Sequence, residues 1–318
     1  MNYKLKKISG DASFREFYRL QKNKKNTIIV KANKEKYQNL IVYTLVNKIL
    51  NNNNVKAPIL IKQFFSNSII EINDLGQKTF LDFVKHKKKK FKFYKKLIDK
   101  LIKIQRIQLK KKYNYYGYKI KFKKYDIKSL QKESNLFFEW YVKYFSKNKK
   151  SVQKNKIKKE LKRAYTKLYF KNEHFTHRDF HASNVMVGKN IGIIDSQDAV
   201  VGNRFYDLVS LIDDVRIKLP SNLQERLFNF YYSKSKLKKE QYKNLKNDFE
   251  ILSVQRNLKI LGIFVRLFKR DGKPNYLKYL PYTWRLIERR LKNPVFENFN
   301  LMLKKYLKIQ KLKKINNL

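Results

Sequence analysis

Short apolar runs rich in β-branched and aromatic residues dominate the first part of the chain, and polar turns separate them. Phe14–Leu20 and Thr27–Ala32 flank the polar segment QKNKKN, and this arrangement predicts a β-hairpin. Over Lys34–Leu50 the apolar residues return at helical spacing, and the asparagine run Asn51–Asn54 is expected to end that helix. Two further strand-like stretches follow, Ile59–Phe65 and Ser68–Ile72.

From residue 79 onwards the apolar residues recur mainly every three to four positions, which predicts helices. A tight hairpin interrupts this pattern, because Val185–Val187 and Ile191–Ile194 are short apolar segments separated only by Gly188-Lys189-Asn190. Strands followed by helices indicate an α+β fold with two lobes, a small β-rich one at residues 1–75 and a mainly helical one at residues 76–318. The helical regions are expected at 79–109, 129–146, 152–170, Arg204–Asp214 and over most of the chain up to residue 310.

Lysine dominates the charge of this chain. It has 76 Lys and Arg residues against 25 Asp and Glu residues, for a formal net charge of +51. The lysines are scattered and accompany many Asn, Ile, Tyr and Phe residues, which AT-rich codons encode, so we attribute most of the charge to genome composition. The alternative is a surface that binds nucleic acid or an anionic membrane. We expect no specific nucleic-acid partner, and interpret runs such as Lys87–Lys90 as solvated faces.

Other features of the composition exclude whole classes of site and location. The chain has no cysteine, which excludes disulfides and thiolate metal sites. Its first residues, MNYKLKKISG, lack the apolar core of a signal peptide, and no apolar run approaches the roughly 18 residues that span a bilayer. We therefore expect a cytoplasmic protein.

The segment 177–214 reverses the charge balance of the chain. It contains six aspartates and only three basic residues, Arg178, Lys189 and Arg204. Acidic side chains retained in so basic a background indicate a site that holds a cation. The segment begins HRDFHASN and continues to GIIDSQD, an order of residues that suits phosphoryl transfer. The six aspartates are Asp179, Asp195, Asp198, Asp207, Asp213 and Asp214.

Phosphoryl transfer needs a carboxylate that orients the attacking hydroxyl and oxygen ligands for Mg²⁺. Asp179 fits the first role, and the short gap to Asn184 lets the loop turn back so that both side chains face one cleft. Asn184 offers an amide oxygen to the metal, and Asp195, after the predicted hairpin, offers a carboxylate oxygen. Such hard oxygen ligands suit Mg²⁺ far better than zinc. The alternative, a structural turn around a solitary HRD, does not account for the full spacing.

The remaining polar residues of the acidic segment admit more than one interpretation. We interpret His177 and Arg178 as structural residues that hold the loop, and Asp207 as a structural acid at the head of a helix. For His181, packing and contact with substrate stay equally open. Asp213 and Asp214 are expected to face solvent, with substrate contact as the alternative.

Two stretches, HRDFHASNVMV and GIIDSQDAVVGNRFYDLVSLIDD, resemble the aminoglycoside phosphotransferase and choline kinase-like superfamily. Within it, the start SGDASFREFYRL looks most like the bacterial anomeric sugar kinases that phosphorylate N-acetylmuramate and N-acetylglucosamine. The segment EINDLG at residues 71–76 resembles the inter-lobe hinge of those kinases. The resemblance implies a bilobal protein-kinase-like fold, ATP and Mg²⁺ as cofactors, Asp179 as the catalytic acid/base, and Asn184 and Asp195 as magnesium ligands.

The same resemblance places the nucleotide against the N-terminal lobe. The loop at residues 10–13 is expected to cover the ATP phosphates. Lys31 lies in a predicted strand where a phosphate-pairing lysine is expected, although the sugar kinases often carry an acid there. The hinge at residues 71–73 is expected to meet adenine through backbone groups. The candidate nucleotide contacts are Ser9, Gly10, Ser13, Lys31, Glu71 and Asn73.

The basic character of the chain outside the acidic segment favours a neutral or anionic acceptor over a cationic one. N-acetylmuramate carries a carboxylate, and an anomeric hydroxyl is more acidic than an ordinary alcohol, which eases proton removal by Asp179. The candidate sugar contacts, each with a structural role as the alternative, are His181, Gln197, Asp198 and Arg204.

The predicted function is ATP- and Mg²⁺-dependent phosphorylation of an amino sugar, forming a sugar 1-phosphate in peptidoglycan recycling. Two alternatives stay open. One is a kinase of another small alcohol, such as an aminoglycoside or choline, and the other is an inactive pseudokinase that binds nucleic acid or membranes through its charge. The sequence leaves open which sugar is used, the number of magnesium ions and the oligomeric state.

Overall fold

The structure, a computed structural model, describes residues 4–8, 15–21, 26–33, 35–145 and 151–307. The chain divides into two compact units. The sheet unit comprises Met1–Lys123 and His174–Val201, and the helical unit comprises Lys124–Glu173 and Gly202–Leu318. These units differ from the predicted lobes at 1–75 and 76–318. The sheet unit continues past residue 75 to residue 123 and also includes residues 174–201 of the acidic region. The lobe boundary itself stays a prediction.

An antiparallel sheet of five strands forms the core of the sheet unit, with the order β1-β2-β3-β5-β4. The β-hairpin predicted from the alternating pattern is confirmed, because Glu16 pairs with Lys31 and Leu20 with Thr27 across the two strands. Phe14, where that hairpin was expected to begin, lies outside the described residues. The strands are β1 (Lys4–Ile8), β2 (Glu16–Gln21), β3 (Thr27–Lys31), β4 (Leu60–Phe64) and β5 (Ile69–Asn73).

Helix α1 (Gln38–Asn52) covers one face of this sheet. Its residues Leu40, Ile41 and Tyr43 share a buried cluster with Val30 and other residues of β3 and β5. Alternation along a strand sends successive side chains to opposite faces, so Ile28 and Val30 point to this core and Lys31 points away from it.

The asparagine run at residues 51–54 ends the first helix as expected, because α1 stops at Asn52, two residues beyond Leu50. The side chain of Asn51 binds backbone groups on both sides of this helix end. Its Nδ2 donates to Asn47 O at 2.9 Å, and its Oδ1 accepts from the backbone N–H of Ala57 at 3.1 Å. Asparagine side chains imitate backbone groups in this way, which makes them suitable at a helix end.

One further hairpin of the sheet unit was not predicted. Its two strands are joined by Tyr116 and Gly117, whose φ angles of 46° and 76° are those of a two-residue turn with a left-handed backbone. The segment is dense in tyrosine, and its polar flanks hide the alternation that identifies strands. The remaining elements before residue 124 are α2 (Phe80–Val84), α3 (Lys90–Gln105), β6 (Tyr113–Tyr115) and β7 (Tyr118–Ile120).

The acidic segment contains three short strands, among them the predicted tight hairpin, and a fourth strand directly precedes it. The strands are β8 (His174–Thr176), β9 (Val185–Met186), β10 (Gly192–Ile193) and β11 (Val200–Gly202). Strand β9 pairs with β10, and β8 pairs with β11. Two backbone bonds fasten the hairpin to the rest of the sheet unit, from Val187 N to Lys78 O and from Ile193 N to Lys56 O, both 2.8 Å long.

The helical unit contains eight α-helices among the described residues, as the pattern after residue 124 predicts. A π-helical segment, Phe137–Val142, joins the first two of them. No helix in the described part of the chain combines the length and apolar content that crossing a membrane requires. The helices are α4 (Ile127–Leu136), α5 (Lys143–Phe145), α6 (Ser151–Tyr165), α7 (Phe205–Ile212), α8 (Ser221–Lys234), α9 (Tyr242–Asp271), α10 (Leu280–Arg290) and α11 (Glu297–Leu307).

Helix α9 is buried along most of its length and crosses α4 at a glycine. A Cβ built on Gly262 collides with the carbonyl carbon and oxygen of Leu136, the last residue of α4. The close approach coincides with the change from α-helical to π-helical backbone after Leu136. Gly262 therefore has a packing role, which the sequence pattern alone does not identify.

Candidate active site

The loop that follows β8 carries the HRD motif and holds Asp179 through its neighbours. His177 is fully buried, and its Nδ1 accepts a hydrogen bond from the backbone N–H of Asp179 at 3.3 Å. Arg178 has a φ of 74°, in the left-handed region that a long side chain rarely adopts. Such conformations cost on the order of 1–3 kcal/mol and cluster at functional sites. The backbone around Asp179 is thus fixed from both sides.

The chain turns back after Asp179 and brings Asn184 beside it. The N–H of His181 donates to Asp179 O at 3.0 Å, and the N–H of Asn184 donates to His181 O at 2.9 Å. The side chain of Asn184 closes this turn, because its Nδ2 donates to Asp179 O at 3.0 Å. The return of the loop that the spacing predicts is therefore present.

The β9–β10 hairpin brings Asp195 to the same place. Val185 pairs with Ile193, and one step further the N–H of Ile194 donates to Asn184 O at 3.0 Å. Asp195 follows directly, and its Oδ2 lies 3.4 Å from Asn184 Nδ2. Its own φ of 64° turns the chain sharply at this point. The HRD loop and the β9–β10 hairpin, both in the sheet unit, bring Asp179, Asn184 and Asp195 together.

The surroundings of Asp195 disfavour an unaccompanied negative charge. Burial raises the pKa of the Asp195 carboxyl, the hydrogen bond from Gln197 opposes this rise, and the neighbouring charge of Asp179 adds to it. Gln197 Nε2 donates to Asp195 Oδ1 at 2.7 Å. The negative charge of Asp179 makes ionisation of Asp195 less favourable. A cation bound beside the two carboxylates is therefore stabilised.

The donor atoms of this cluster fit a hard cation. Two carboxylates and one amide supply oxygen, the ligand type that Mg²⁺ prefers, and Mg²⁺ usually takes only one or two carboxylates beside phosphate oxygens and water. In the described part of the chain no three His, Cys, Asp or Glu side chains group into a metal site on their own. The arrangement therefore suits a metal that is held jointly by Asn184, Asp195 and a phosphorylated ligand.

Two of the candidate sugar contacts in this unit have protein partners. His181 is buried, and its Nε2 lies 3.5 Å from Asn184 Nδ2. Asp198 is half exposed, and its carbonyl oxygen and Oδ1 lie 3.3 and 3.4 Å from Nη1 of Arg178. Arg178 thereby joins the HRD loop to the segment after Asp195, as a structural residue does. A role for these residues in sugar binding stays a prediction.

The other acidic-segment residues belong to the helical unit. Arg204 donates from Nε to the hydroxyl of Tyr231 at 2.9 Å, and Asp207 is buried in the first turn of α7. The expectation that Asp213 and Asp214 face solvent was wrong, because both are buried. They follow the apolar end of α7, and their partners compensate for burial: Asp213 accepts from Ser253 Oγ at 2.5 Å and from Gln224 Nε2 at 3.0 Å, and Asp214 lies 3.7 Å from Arg216 Nη1.

The predicted nucleotide contacts Ser9, Gly10 and Ser13 lie outside the described residues. Lys31 ends β3 opposite Glu16. The hydrogen bond from Lys7 chiefly lowers the pKa of the Glu16 carboxyl, and the charge of Lys31 adds to that effect.

Glu71 and Asn73 of the predicted hinge have contacts within the sheet. Glu71 lies in β5 between two neighbouring strands and accepts from Thr27 Oγ1 at 2.6 Å. Asn73 donates from its backbone N–H to Ile59 O at 3.0 Å. The ion pair between Arg19 and Asp74, 2.6 Å from Nε to Oδ2, holds the chain directly after β5. Contact of these hinge residues with adenine stays a prediction.

Three residues near Asp195 were missed by the sequence interpretation. Arg15 is an ion-pair partner of Glu35 and donates from Nη1 to Gln197 Oε1 at 3.2 Å. Asn47 of α1 accepts at Oδ1 from Ser196 Oγ at 2.7 Å, and both residues are buried. The available signals were an arginine in the N-terminal motif and polar residues on the apolar face of α1. Neither has a fixed spacing to the acidic segment.

Comparisons with known proteins identify the family of this chain. The model of the phosphotransferase enzyme family matches residues 4–239. An N-acetylmuramate/N-acetylglucosamine kinase of Pseudomonas aeruginosa is 27% identical over 286 residues, which are 88% of this chain and 81% of that protein. The expected resemblance to the superfamily and to its anomeric sugar kinases is confirmed.

Solved structures share the fold. A spectinomycin phosphotransferase in complex with ADP and spectinomycin has a TM-score of 0.57 at 14% identity, covering 94% of this chain and 92% of that chain. A choline/ethanolamine kinase family protein from Mesorhizobium loti has a TM-score of 0.60 at 12% identity, covering 95% and 92%. The expected α+β, kinase-like fold is thereby confirmed. The chain belongs to the phosphotransferase enzyme family, and it is a phosphotransferase whose acceptor is a hydroxyl group.

Proposed function

We propose that this phosphotransferase transfers the γ-phosphoryl group of ATP to the anomeric hydroxyl of N-acetylmuramate or N-acetylglucosamine. The observation that carries the proposal is the cluster of Asp179, Asn184 and Asp195 in one unit of the protein. The printed name of the Pseudomonas aeruginosa relative supports the choice of acceptor. The solved spectinomycin phosphotransferase, which contains ADP, supports the choice of ATP as phosphoryl donor.

The roles of the three residues follow from their chemistry. Asp179 accepts the proton of the attacking sugar hydroxyl and orients that hydroxyl toward the phosphorus atom. Asn184 and Asp195 would hold Mg²⁺ through an amide oxygen and a carboxylate oxygen. When bound, the metal would supply positive charge that neutralises the transferring phosphoryl group. The anomeric hydroxyl is more acidic than an ordinary alcohol, so a carboxylate is a sufficient base.

The products of this reaction are a sugar 1-phosphate and ADP, since the sugar oxygen forms the new P–O bond and the bond to the β-phosphate oxygen breaks. The sugar proton passes to Asp179. We further propose that the reaction takes place in the cytoplasm, where ATP is available. We place this step in the recycling of amino sugars from peptidoglycan, as part of the same proposal.

A panel of acceptors tests the proposal, with ADP formation as the readout. N-acetylmuramate and N-acetylglucosamine are expected to stimulate turnover of ATP, and choline and kanamycin are not. The methyl glycoside of N-acetylglucosamine is the matched control, because it keeps every group of the sugar except the free anomeric hydroxyl. Turnover with the methyl glycoside rejects the anomeric position, and turnover only with choline or kanamycin rejects the sugar. No turnover with any acceptor, together with salt-sensitive binding of nucleic acid, favours an inactive basic protein.

A further inference from the structure

Arg15, directly before β2, is a buried cation whose hydrogen-bond partners include residues from two distant parts of the sheet unit. Only 6% of its surface is exposed. Its Nε donates to Glu35 Oε1 and its Nη2 to Glu35 Oε2, while Nη1 donates to Gln197 Oε1 at 3.2 Å. A buried guanidinium is stable only where acceptors match its fixed fork of N–H groups. Glu35 supplies the opposite charge, and Gln197 supplies a neutral acceptor.

Gln197 connects Arg15 to Asp195 through hydrogen bonds at the two ends of its side-chain amide. Its amide oxygen faces Arg15, a residue that can only donate hydrogen bonds, so its amide nitrogen must point the other way. That nitrogen donates to Asp195 Oδ1 at 2.7 Å. Four side chains thereby form one chain of hydrogen bonds, Glu35–Arg15–Gln197–Asp195, which we call the Arg15 relay. The relay occupies Oδ1 of Asp195, while Oδ2 lies toward Asn184.

Further contacts hold the Arg15 end of the relay. Glu35 Oε2 accepts from Asn39 Nδ2 at 2.8 Å, which fixes the carboxylate at the start of α1. The Arg15 guanidinium lies 5.3 Å from the ring centroid of Tyr43 on α1, within the range of a cation–π interaction. Burial raises the pKa of Tyr43 to about 12, so its ring stays neutral near pH 7. Arg15 is therefore placed by α1 rather than by its own strand alone.

The side chain of Lys31, by contrast, lies on the face of the sheet away from α1. The residues of β3 that face α1 are Ile28 and Val30, and alternation turns Lys31 to the opposite face of the sheet. There it lies opposite Glu16 of β2. Protein kinases pair a strand lysine with an acid of the helix that packs on the sheet. In this chain Glu35, which precedes α1 by three residues, pairs with Arg15.

We propose that Arg15 is a positioning residue for the metal-binding end of the site: anchored by Glu35, it orients Gln197 and through it Asp195. The inference rests on the proposed function, because it assumes that Asp195 binds Mg²⁺. It assigns Gln197 to the relay instead of to the sugar. Loss of Arg15 allows the Asp195 side chain to rotate. This rotation weakens the binding of nucleotide with Mg²⁺ more than the binding of nucleotide without it.

Calorimetric titration with ADP, with Mg²⁺ and with EDTA in its place, tests the relay. The variants are Arg15→Met, Gln197→Met, the double variant and Arg15→Lys, with Lys62→Met on the exposed strand β4 as the matched control. Arg15→Met and Gln197→Met are each expected to weaken binding of Mg·ADP by about 10–100-fold, the usual effect of losing a side chain that orients a metal ligand. Binding of ADP in EDTA is expected to change by less than about threefold.

The remaining variants separate a relay from independent effects. The double variant is expected to lose no more affinity for Mg·ADP than the weaker-binding single variant, because both substitutions break the same chain of contacts. Arg15→Lys keeps the charge but lacks the fork that joins two partners, so it is expected to recover only part of the affinity. Lys62→Met is expected to bind Mg·ADP as the wild type does.

Three results overturn the inference. The first is a loss of thermal stability in Arg15→Met and Gln197→Met with no change in the affinity ratio between Mg·ADP and ADP. The second is a loss in Lys31→Met as large as that in Arg15→Met. The third is a wild type that does not bind Mg·ADP. A wild type that binds Mg·ADP but phosphorylates neither amino sugar rejects the proposed acceptor alone, and the comparison of variants still decides the role of Arg15.

Discussion

The side-chain nitrogen of Asn184 lies 3.0 Å from the backbone oxygen of Asp179 and 3.4 Å from Oδ2 of Asp195. One amide thereby joins the HRD loop to the end of the β9–β10 hairpin. The amide oxygen is the atom that a metal ion requires, and the two contacts of the nitrogen restrict how the side chain can turn.

Asn184→Ala is expected to lower kcat/KM by at least about 100-fold, because it removes a proposed metal ligand and the side chain that closes the loop carrying Asp179. The measurement is steady-state ADP formation with saturating amino sugar. Ser183→Ala is the matched control, since the buried hydroxyl of the neighbouring Ser183 has no hydrogen-bond partner among the described residues. Equal losses in the two variants would show that any change in this turn is harmful and would remove the special role of Asn184.

Asp195→Asn is expected to abolish the gain in nucleotide affinity that Mg²⁺ provides. A ligand present at about 100 times its dissociation constant stabilises a protein by about 2.7 kcal/mol, which thermal unfolding detects readily. Mg·ADP is therefore expected to raise the Tm of the wild type clearly above its Tm with ADP in EDTA. In Asp195→Asn the two ligands are expected to have the same effect. An undiminished effect of Mg²⁺ in this variant would exclude Asp195 as a ligand.

The ion pair between Arg15 and Glu35 predicts a dependence of stability on pH. Burial raises the pKa of the Glu35 carboxyl, but hydrogen bonds from Arg15 and Asn39 and the charge of Arg15 outweigh it, so the pKa is lowered overall. A lowered pKa in the folded state stabilises the protein above the pKa of the unfolded chain, and this stabilisation is lost as the pH falls through the folded-state pKa.

Glu35→Gln is thus expected to be less stable than the wild type near pH 7, by about 1 kcal/mol for a charge-assisted hydrogen bond that is partly exposed. The difference in unfolding free energy should shrink toward zero as the pH is lowered past the ordinary range of a glutamate. Denaturant unfolding of both proteins at several pH values measures it. A difference that stays constant with pH would mean that the charge of Glu35 does not contribute.

Gly262→Ala is expected to destabilise the helical unit by about 1–3 kcal/mol, because the added methyl group meets the backbone of Leu136 and not a movable side chain. Lys243→Ala, at an exposed position of the same helix, is the matched control and should change stability by less than about 0.5 kcal/mol. Thermal unfolding of both variants gives the comparison. A Gly262→Ala protein as stable as the wild type would show that α4 and α9 separate at little cost.

Local pattern predicted the elements whose residues are close together in the sequence. The β2–β3 hairpin, the β9–β10 hairpin and the spacing from Asp179 to Asn184 all depend on a few neighbouring positions, so composition and period determine them. The β6–β7 hairpin is equally local, but each of its strands has only three residues, too few for the alternation to be distinguished from the polar flanks.

The contacts that the sequence did not predict join residues far apart. Arg15 and Gln197 are separated by 182 positions and Asn47 and Ser196 by 149, and no spacing rule connects them. The pairing of Lys31 with phosphate stays a prediction, because the face on which a strand residue lies depends on where the helix packs. Burial of Asp213 likewise depends on Ser253 and Gln224, which come from two later helices.

The most direct test of the account is single-turnover phosphorylation by the wild type and Asp179→Asn, with transfer of ³²P from ATP to N-acetylmuramate as the readout. The account predicts a rate at least about 100-fold lower in the variant, as removal of a general base does, with unchanged Tm and unchanged affinity for Mg·ADP. A variant that transfers phosphate as fast as the wild type would contradict the account.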